Sequence, residues 1–96
     1  MASEATNVQI YTTSWCGYCH AAKALLKARS VDYQESDCTE DAATRKWLIE
    51  KTGQRTVPQI FIHGVPVGGF SELRRLEQAG TLRAILAGET PPPSVL

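Results

Sequence analysis

Tyr11-Thr12-Thr13-Ser14-Trp15-Cys16-Gly17-Tyr18-Cys19-His20 joins the end of a short apolar run to the start of a helical pattern, and a Cys-x-x-Cys pair sits at the junction. Free N–H groups and the macrodipole at a helix N-terminus favour negative charge, so a cysteine placed there is stabilised as thiolate, the nucleophilic form. A second thiol one turn later is near enough to attack a mixed disulfide formed on the first, or to close a disulfide with it. In a chain of βαβ order this spacing reads as a redox dithiol. Cys16, nearer the terminus, is expected to be the nucleophile, and Cys19, one turn in, the resolving thiol.

Working outward, Val8-Gln9-Ile10-Tyr11 alternates apolar and polar residues as a strand does. Gly17 to Arg29 reads as a helix, with Tyr18, Ala22, Leu25 and Leu26 on one face. Val31-Asp32-Tyr33-Gln34-Glu35 reads as a second strand, and a right-handed crossover makes it a parallel neighbour of the first. Thr39 is the expected N-cap of a second helix, with Glu40 and Asp41 in its first turn, Lys51 near its end and Gly53 as its stop. Gln59-Ile60-Phe61-Ile62 is the most apolar strand. His63-Gly64 forms a two-residue turn into Val65-Pro66-Val67, which Pro66 assigns to a sheet edge because it donates nothing to a ladder. A helix over about Ser71 to Ala79 carries Leu73 and Leu76 inward, and Gly80-Thr81 starts a last helical segment with Leu82, Ile85 and Leu86. Residues 1–6 are expected as a flexible start, 7–87 as one domain and 88–96, with Pro91-Pro92-Pro93, as a polyproline-like tail.

Composition narrows the function. Ninety-six residues suffice for one domain with one core. Ten basic residues balance ten acidic ones, so no charged field points to nucleic acid or a membrane surface. No apolar run reaches the roughly 20 residues of a membrane span. Residues 1–6 show no basic stretch followed by an apolar one, so no export leader is expected. With three cysteines, an odd number, a structural disulfide framework is not expected. A reducing, cytoplasmic compartment fits, with cysteine present for chemistry.

Three motifs now stand in order on the appropriate elements: Tyr11-Thr12-x-x-x-Cys16-x-Tyr18-Cys19, Arg55-Thr56-Val57-Pro58-Gln59-Ile60-Phe61-Ile62, and Gly68-Gly69-Phe70-Ser71-Glu72-Leu73. Through them the chain resembles a glutaredoxin over all but its first few residues and its tail. The resemblance implies an α/β, thioredoxin-like fold with a four-stranded mixed sheet in the order 2-1-3-4 and helices on both faces. It implies a glutathione-dependent oxidoreductase that reduces glutathione mixed disulfides and protein disulfides through Cys16 and Cys19, by a monothiol or a dithiol route.

The resemblance also implies how glutathione is held. Pro58 follows a cis bond and exposes the backbone of Val57 beside Cys16, next to Thr56. Gly69, Phe70, Ser71 and Glu72 take the γ-glutamyl end, in keeping with the anion-binding N–H groups of a helix start. Tyr18 flanks the bound tripeptide. Relatives often place a lysine three residues before the first cysteine, where this chain has Thr13, so Arg45 and Arg55 are the candidates to meet the glycyl carboxylate.

Gly17 stands where many relatives have proline. In the family, small residues there accompany an alternative role, in which the first cysteine of each of two subunits and two glutathiones hold a [2Fe–2S] cluster. The chain is therefore expected as a monomer or as a cluster-bridged homodimer with Cys16 as ligand. Two other uses of the cysteines lack support. Cys16 to His20 matches a haem-attachment string, but the only methionine is Met1, and a zinc site with Cys38 lacks a second paired motif. Cys38 is expected as a half-buried, unreactive thiol, His20 as an exposed helix residue, and Trp15 and Trp47 as packing residues.

Overall fold

Alternation along Val8–Thr12 turns Val8, Ile10 and Thr12 to one side and Gln9 and Tyr11 to the other, and this strand becomes the pivot of the sheet. A computed structural model of the chain, describing residues 7–95, runs β1 (Val8–Thr12), α1 (Gly17–Ala28), β2 (Gln34–Asp37), α2 (Ala42–Thr52), β3 (Gln59–Ile62), β4 (Val65–Gly68), α3 (Phe70–Gln78) and α4 (Thr81–Leu86). The flexible start expected at 1–6 lies outside the described residues. The sheet order is β2-β1-β3-β4. β1 pairs parallel with β2, Gln9 opposite Gln34, and antiparallel with β3, Ile10 opposite Ile60. This is the mixed 2-1-3-4 sheet that the resemblance implied.

The sheet divides two cores. On one face Val8, Ile10, Ile60, Ile62 and Val67 pack against Ala22 and Leu26 of α1, Leu73 of α3 and Leu82 and Ile85 of α4. On the other, Tyr11, Cys38 and Phe61 meet Leu48 of α2. Trp47 closes this smaller core, its ring 5.8 Å from Phe61 and 5.7 Å from Tyr11.

Several boundaries differ from the sequence expectation, each for a local reason. β2 begins at Gln34 rather than Val31, because the chain is still finishing α1 there. Ser30 turns left-handed at φ 57°, and the Val31 N–H donates to the Leu26 carbonyl at 2.9 Å. α2 is capped by Asp41 rather than Thr39: the Asp41 carboxylate accepts the Thr44 N–H at 3.1 Å and its hydroxyl at 2.6 Å. Thr39 is already engaged, donating its N–H at 2.9 Å and its hydroxyl at 2.6 Å to Asp37. α3 starts at Phe70, one residue early, with Gly69 as its N-cap.

The hairpin forms as read. His63 and Gly64 both take positive φ, 52° and 80°, the signature of a mirror-image turn matched to strand twist. β4 with Pro66 is an edge strand, and its ladder slips between Ile60 and Phe61. Beyond Gly88 the tail has no regular secondary structure, yet the Val95 N–H donates to the Pro66 carbonyl at 2.9 Å. Among the described residues no helix is long and apolar enough to cross a membrane.

Candidate active site

Cys16 is the N-cap of α1. With φ −128° and ψ 106° its backbone is extended, and its Sγ accepts the Cys19 N–H at 3.0 Å. A sulfur thus takes the place that a Ser or Asp oxygen usually fills, and the N–H groups left open at a helix start act on a nucleophile. Cys16 is half-buried, whereas Cys19 is fully buried. Burial first, then a hydrogen bond to Cys16, push the Cys19 thiol up to about 12. The two sulfurs are therefore unequal: one is accessible and receives N–H donation, the other is enclosed and protonated.

Ser14 ties down the loop before Cys16. The Ser14 N–H donates to Thr39 Oγ1 at 2.7 Å, and Ser14 Oγ lies 3.3 Å from the Asp37 carboxylate. Donation from Thr39 holds that carboxylate below its usual range. On the other side the Cys16 thiol approaches the Val57 carbonyl at 3.6 Å. The Val57-Pro58 peptide bond is cis.

A cleft of about 360 Å³ opens beside these residues, lined by Tyr18, Gln54, residues 56–58 and residues 69–72. Tyr18 does not join the core face of α1: it is 68% exposed and stacks on Phe70, with ring centroids 6.0 Å apart. Gly68 and Gly69 are demanded by this wall. Gly68 has φ +117°, and a Cβ on it would sit 2.7 Å from Glu72 Cγ, while one on Gly69 would meet the Pro58 carbonyl at 3.1 Å. The Glu72 carboxylate accepts the Gly69 N–H at 2.8 Å, which leaves the first N–H groups of α3, at Phe70 and Ser71, for an anion.

Tyr18, Thr56, Val57, Pro58, Gly69, Phe70, Ser71 and Glu72 are thus brought to one cleft, as the sequence reading grouped them. Arg45 and Arg55 are not part of its lining. They border a groove of about 480 Å³ along α2, and also a small depression that shares Gln54, Thr56 and Val57 with the cleft. Gln54 lines the cleft and was not anticipated, nor was buried Gln59, whose Nε2 donates to the Gln54 side chain at 3.1 Å. The only available signal was a polar residue at the start of an otherwise apolar strand.

Trp15 corrects another expectation. It is 94% exposed beside Cys16 and makes no ring contact among the described residues, whereas Trp47 does pack. Cys38 is fully enclosed rather than half-buried, its thiol 3.3 Å from the Thr12 carbonyl and pushed up by burial.

The glutaredoxin family model matches residues 8–67, which contain the dithiol, the cis proline and the first three strands. The chain belongs to the glutaredoxin family. It is 49% identical over 80 residues to a glutaredoxin of Pseudomonas aeruginosa, covering 83% of this chain and 95% of that one. Glutaredoxin 3 of Escherichia coli K12 is 45% identical over 80 residues, covering 83% and 96%. A crystal structure of a buckwheat glutaredoxin–glutathione complex superposes with a TM-score of 0.81 at 29% identity, covering 85% of this chain and 77% of that one. As a family member the chain is a thiol–disulfide oxidoreductase, with Cys16 and Cys19 in the position of the family's C-x-x-C pair.

Proposed function

We propose that this glutaredoxin uses glutathione as its co-substrate and reduces glutathione mixed disulfides of proteins, chiefly through Cys16 alone. The observation that carries this reading is the asymmetry of the two thiols at the mouth of one cleft. Cys16 thiolate attacks the glutathionyl sulfur; the bond from that sulfur to the substrate breaks, and the substrate leaves as thiolate and takes up a proton. Cys16 is then joined to glutathione. A second glutathione thiolate attacks the same glutathionyl sulfur, releasing oxidised glutathione and regenerating Cys16.

Cys19 is poorly placed to compete in the second step. With its thiol pushed up to about 12, chiefly by burial, Cys19 stays protonated at neutral pH, and that burial does not depend on Cys16 being free. The dithiol route serves protein disulfides, where no second glutathione is positioned. The cleft supports binding of the tripeptide, with Tyr18 and Phe70 as its wall and the α3 N–H groups for the γ-glutamyl carboxylate. The buckwheat complex, a relative with glutathione bound, supports the same ligand. A reducing, cytoplasmic setting accords with three free cysteines.

The test is a peptide glutathione mixed disulfide assayed with each variant. Cys16→Ser is expected to abolish its reduction, and Cys19→Ser to retain at least about half the rate. Equal loss in both variants would reject the monothiol proposal.

A second reading is favoured by Gly17. A Cβ there would meet nothing within 4 Å, so the space beside the residue that follows Cys16 is open. Cys16 from each of two copies, with two glutathiones, would hold a [2Fe–2S] cluster for storage, transfer or sensing. Anaerobic reconstitution with iron, sulfide and glutathione should then give a coloured dimer that Cys16→Ser prevents and Cys19→Ser does not. A colourless monomer under those conditions defeats this reading and leaves the first intact.

A further inference from the structure

Gln54 and Gln59 form an arrangement that the thiol chemistry does not use. Gln59 opens β3 on the side of Phe61 and is buried. Its Nε2 donates to Gln54 Oε1 at 3.1 Å and to the Thr56 carbonyl at 2.8 Å. The Thr56 carbonyl only accepts, so the Gln59 atom facing it is the nitrogen. The Gln54 atom facing that nitrogen is then its oxygen, since two amide nitrogens would both donate. The Gln54 backbone is held too: its N–H donates to Thr52 Oγ1 at 3.1 Å, and that buried hydroxyl donates to the Leu48 carbonyl at 2.7 Å.

With backbone and carbonyl oxygen engaged, the polar group of Gln54 left to meet a ligand is its Nε2, a pair of N–H donors on a half-buried side chain lining the cleft. Gln59 is kept at a cost, since its own Oε1 is buried with no partner among the described residues. An apolar residue would fill the position more cheaply but would leave the Gln54 amide free to turn. The cleft therefore carries two donor groups, the α3 N–H groups at Phe70 and Ser71 and the amide of Gln54, and shares its lining with Val57, whose carbonyl the Cys16 thiol approaches.

We propose that Gln54, oriented by Gln59, is the hydrogen-bond donor to the glycyl carboxylate of glutathione, a neutral amide acting where relatives place a cation and this chain has Thr13. The proposal rests on the glutathione reading above. It assigns Arg45 and Arg55, in the groove along α2, no direct part in that contact. Gln59 is a positioning residue.

Two peptide mixed disulfides separate the possibilities, one made with glutathione and one with glutathione esterified at the glycyl carboxylate. A hydrogen bond to a charged group leads us to expect wild type to prefer the free carboxylate by about tenfold in kcat/KM. Gln54→Ala should lose about tenfold on the carboxylate substrate and show no preference, with Cys16 alkylated at the wild-type rate. Gln54→Glu should invert the preference by like-charge repulsion. Gln59→Leu should erase it as Gln54→Ala does, and the two Gln54 variants keep the proposal open to refutation if that core change impairs folding. A wild-type preference retained in Gln54→Ala, or erased instead by Arg45→Ala or Arg55→Ala, overturns the proposal while sparing the glutathione reading. Wild type inactive on both peptides overturns both.

Discussion

Cys16 and Cys19 are chemically identical and three residues apart, so their different roles arise from surroundings alone. Enclosure makes the Cys19 thiol a reservoir of stability as well as a slow nucleophile. Its folded value of about 12 lies above the ordinary 9.0, so between those limits the native state holds a proton that the unfolded chain has lost. Stability is then full below about pH 9 and falls as pH rises towards 12, by at most about 1.4 kcal/mol per pH unit. Cys38, also raised by burial, acts in the same direction. Urea unfolding at about pH 8 and pH 10 should show this decline, and Cys19→Ala should lessen it. Parallel declines in the two proteins would show that the enclosed thiol is not responsible. At this scale the two cysteines were legible in the sequence because their spacing is local. The Gln54 and Gln59 pair was not, because it depends on a turn folding one side chain back onto another, and no periodicity marks that.

Among the elements, α1 presents the most direct lever. Gly17 is its first helical residue, has an ordinary φ, and has open space where a side chain would stand. Proline is favoured at that position, where the missing N–H has no helical partner to lose. Gly17→Pro should therefore raise the melting temperature, by roughly 2–6 °C for about 0.5–1 kcal/mol in a domain of this size. Mixed-disulfide reduction should persist, since the Cys19 N–H still reaches Cys16, while cluster retention on the second reading should weaken. A fall in melting temperature would mean that the Gly17 N–H has a structural partner after all. Element order was legible because helix and strand periods differ. Two boundaries were not. β2 is exposed at all four positions, so it carries no alternation to read, and its place is set by the β1 ladder. The α2 cap was a choice between Thr39 and Asp41, both good capping residues, decided by Thr39 being drawn to Asp37 and Ser14 across the loop.

At the scale of the whole molecule the sheet ends in two different edges. β2 is polar throughout, whereas β4 carries Pro66 and is tied to the tail through Val95. Truncation after Gly88 removes that tie and uncovers backbone on β4. Loss of the Val95 bond, and of the Glu89 N–H bond to the Ala84 carbonyl, each worth roughly 0.5–1.5 kcal/mol, should lower the melting temperature by several degrees without changing turnover on mixed disulfides. An edge so uncovered is also a template for pairing between molecules, so the truncated protein should aggregate sooner on heating. An unchanged melt would show that the tail contributes nothing to the fold. The proline run made an extended tail legible, but not its return to the sheet, which is a contact between residues nearly thirty positions apart. The same sheet separates the two tryptophans by environment: Trp47 is held among Phe61 and Tyr11, and Trp15 stands in water beside Cys16. Indole emission is quenched by a neighbouring disulfide, so each glutathionylation of Cys16 should dim Trp15 while Trp47 stays constant, and the chain carries its own optical clock for stopped-flow measurement of both half-reactions.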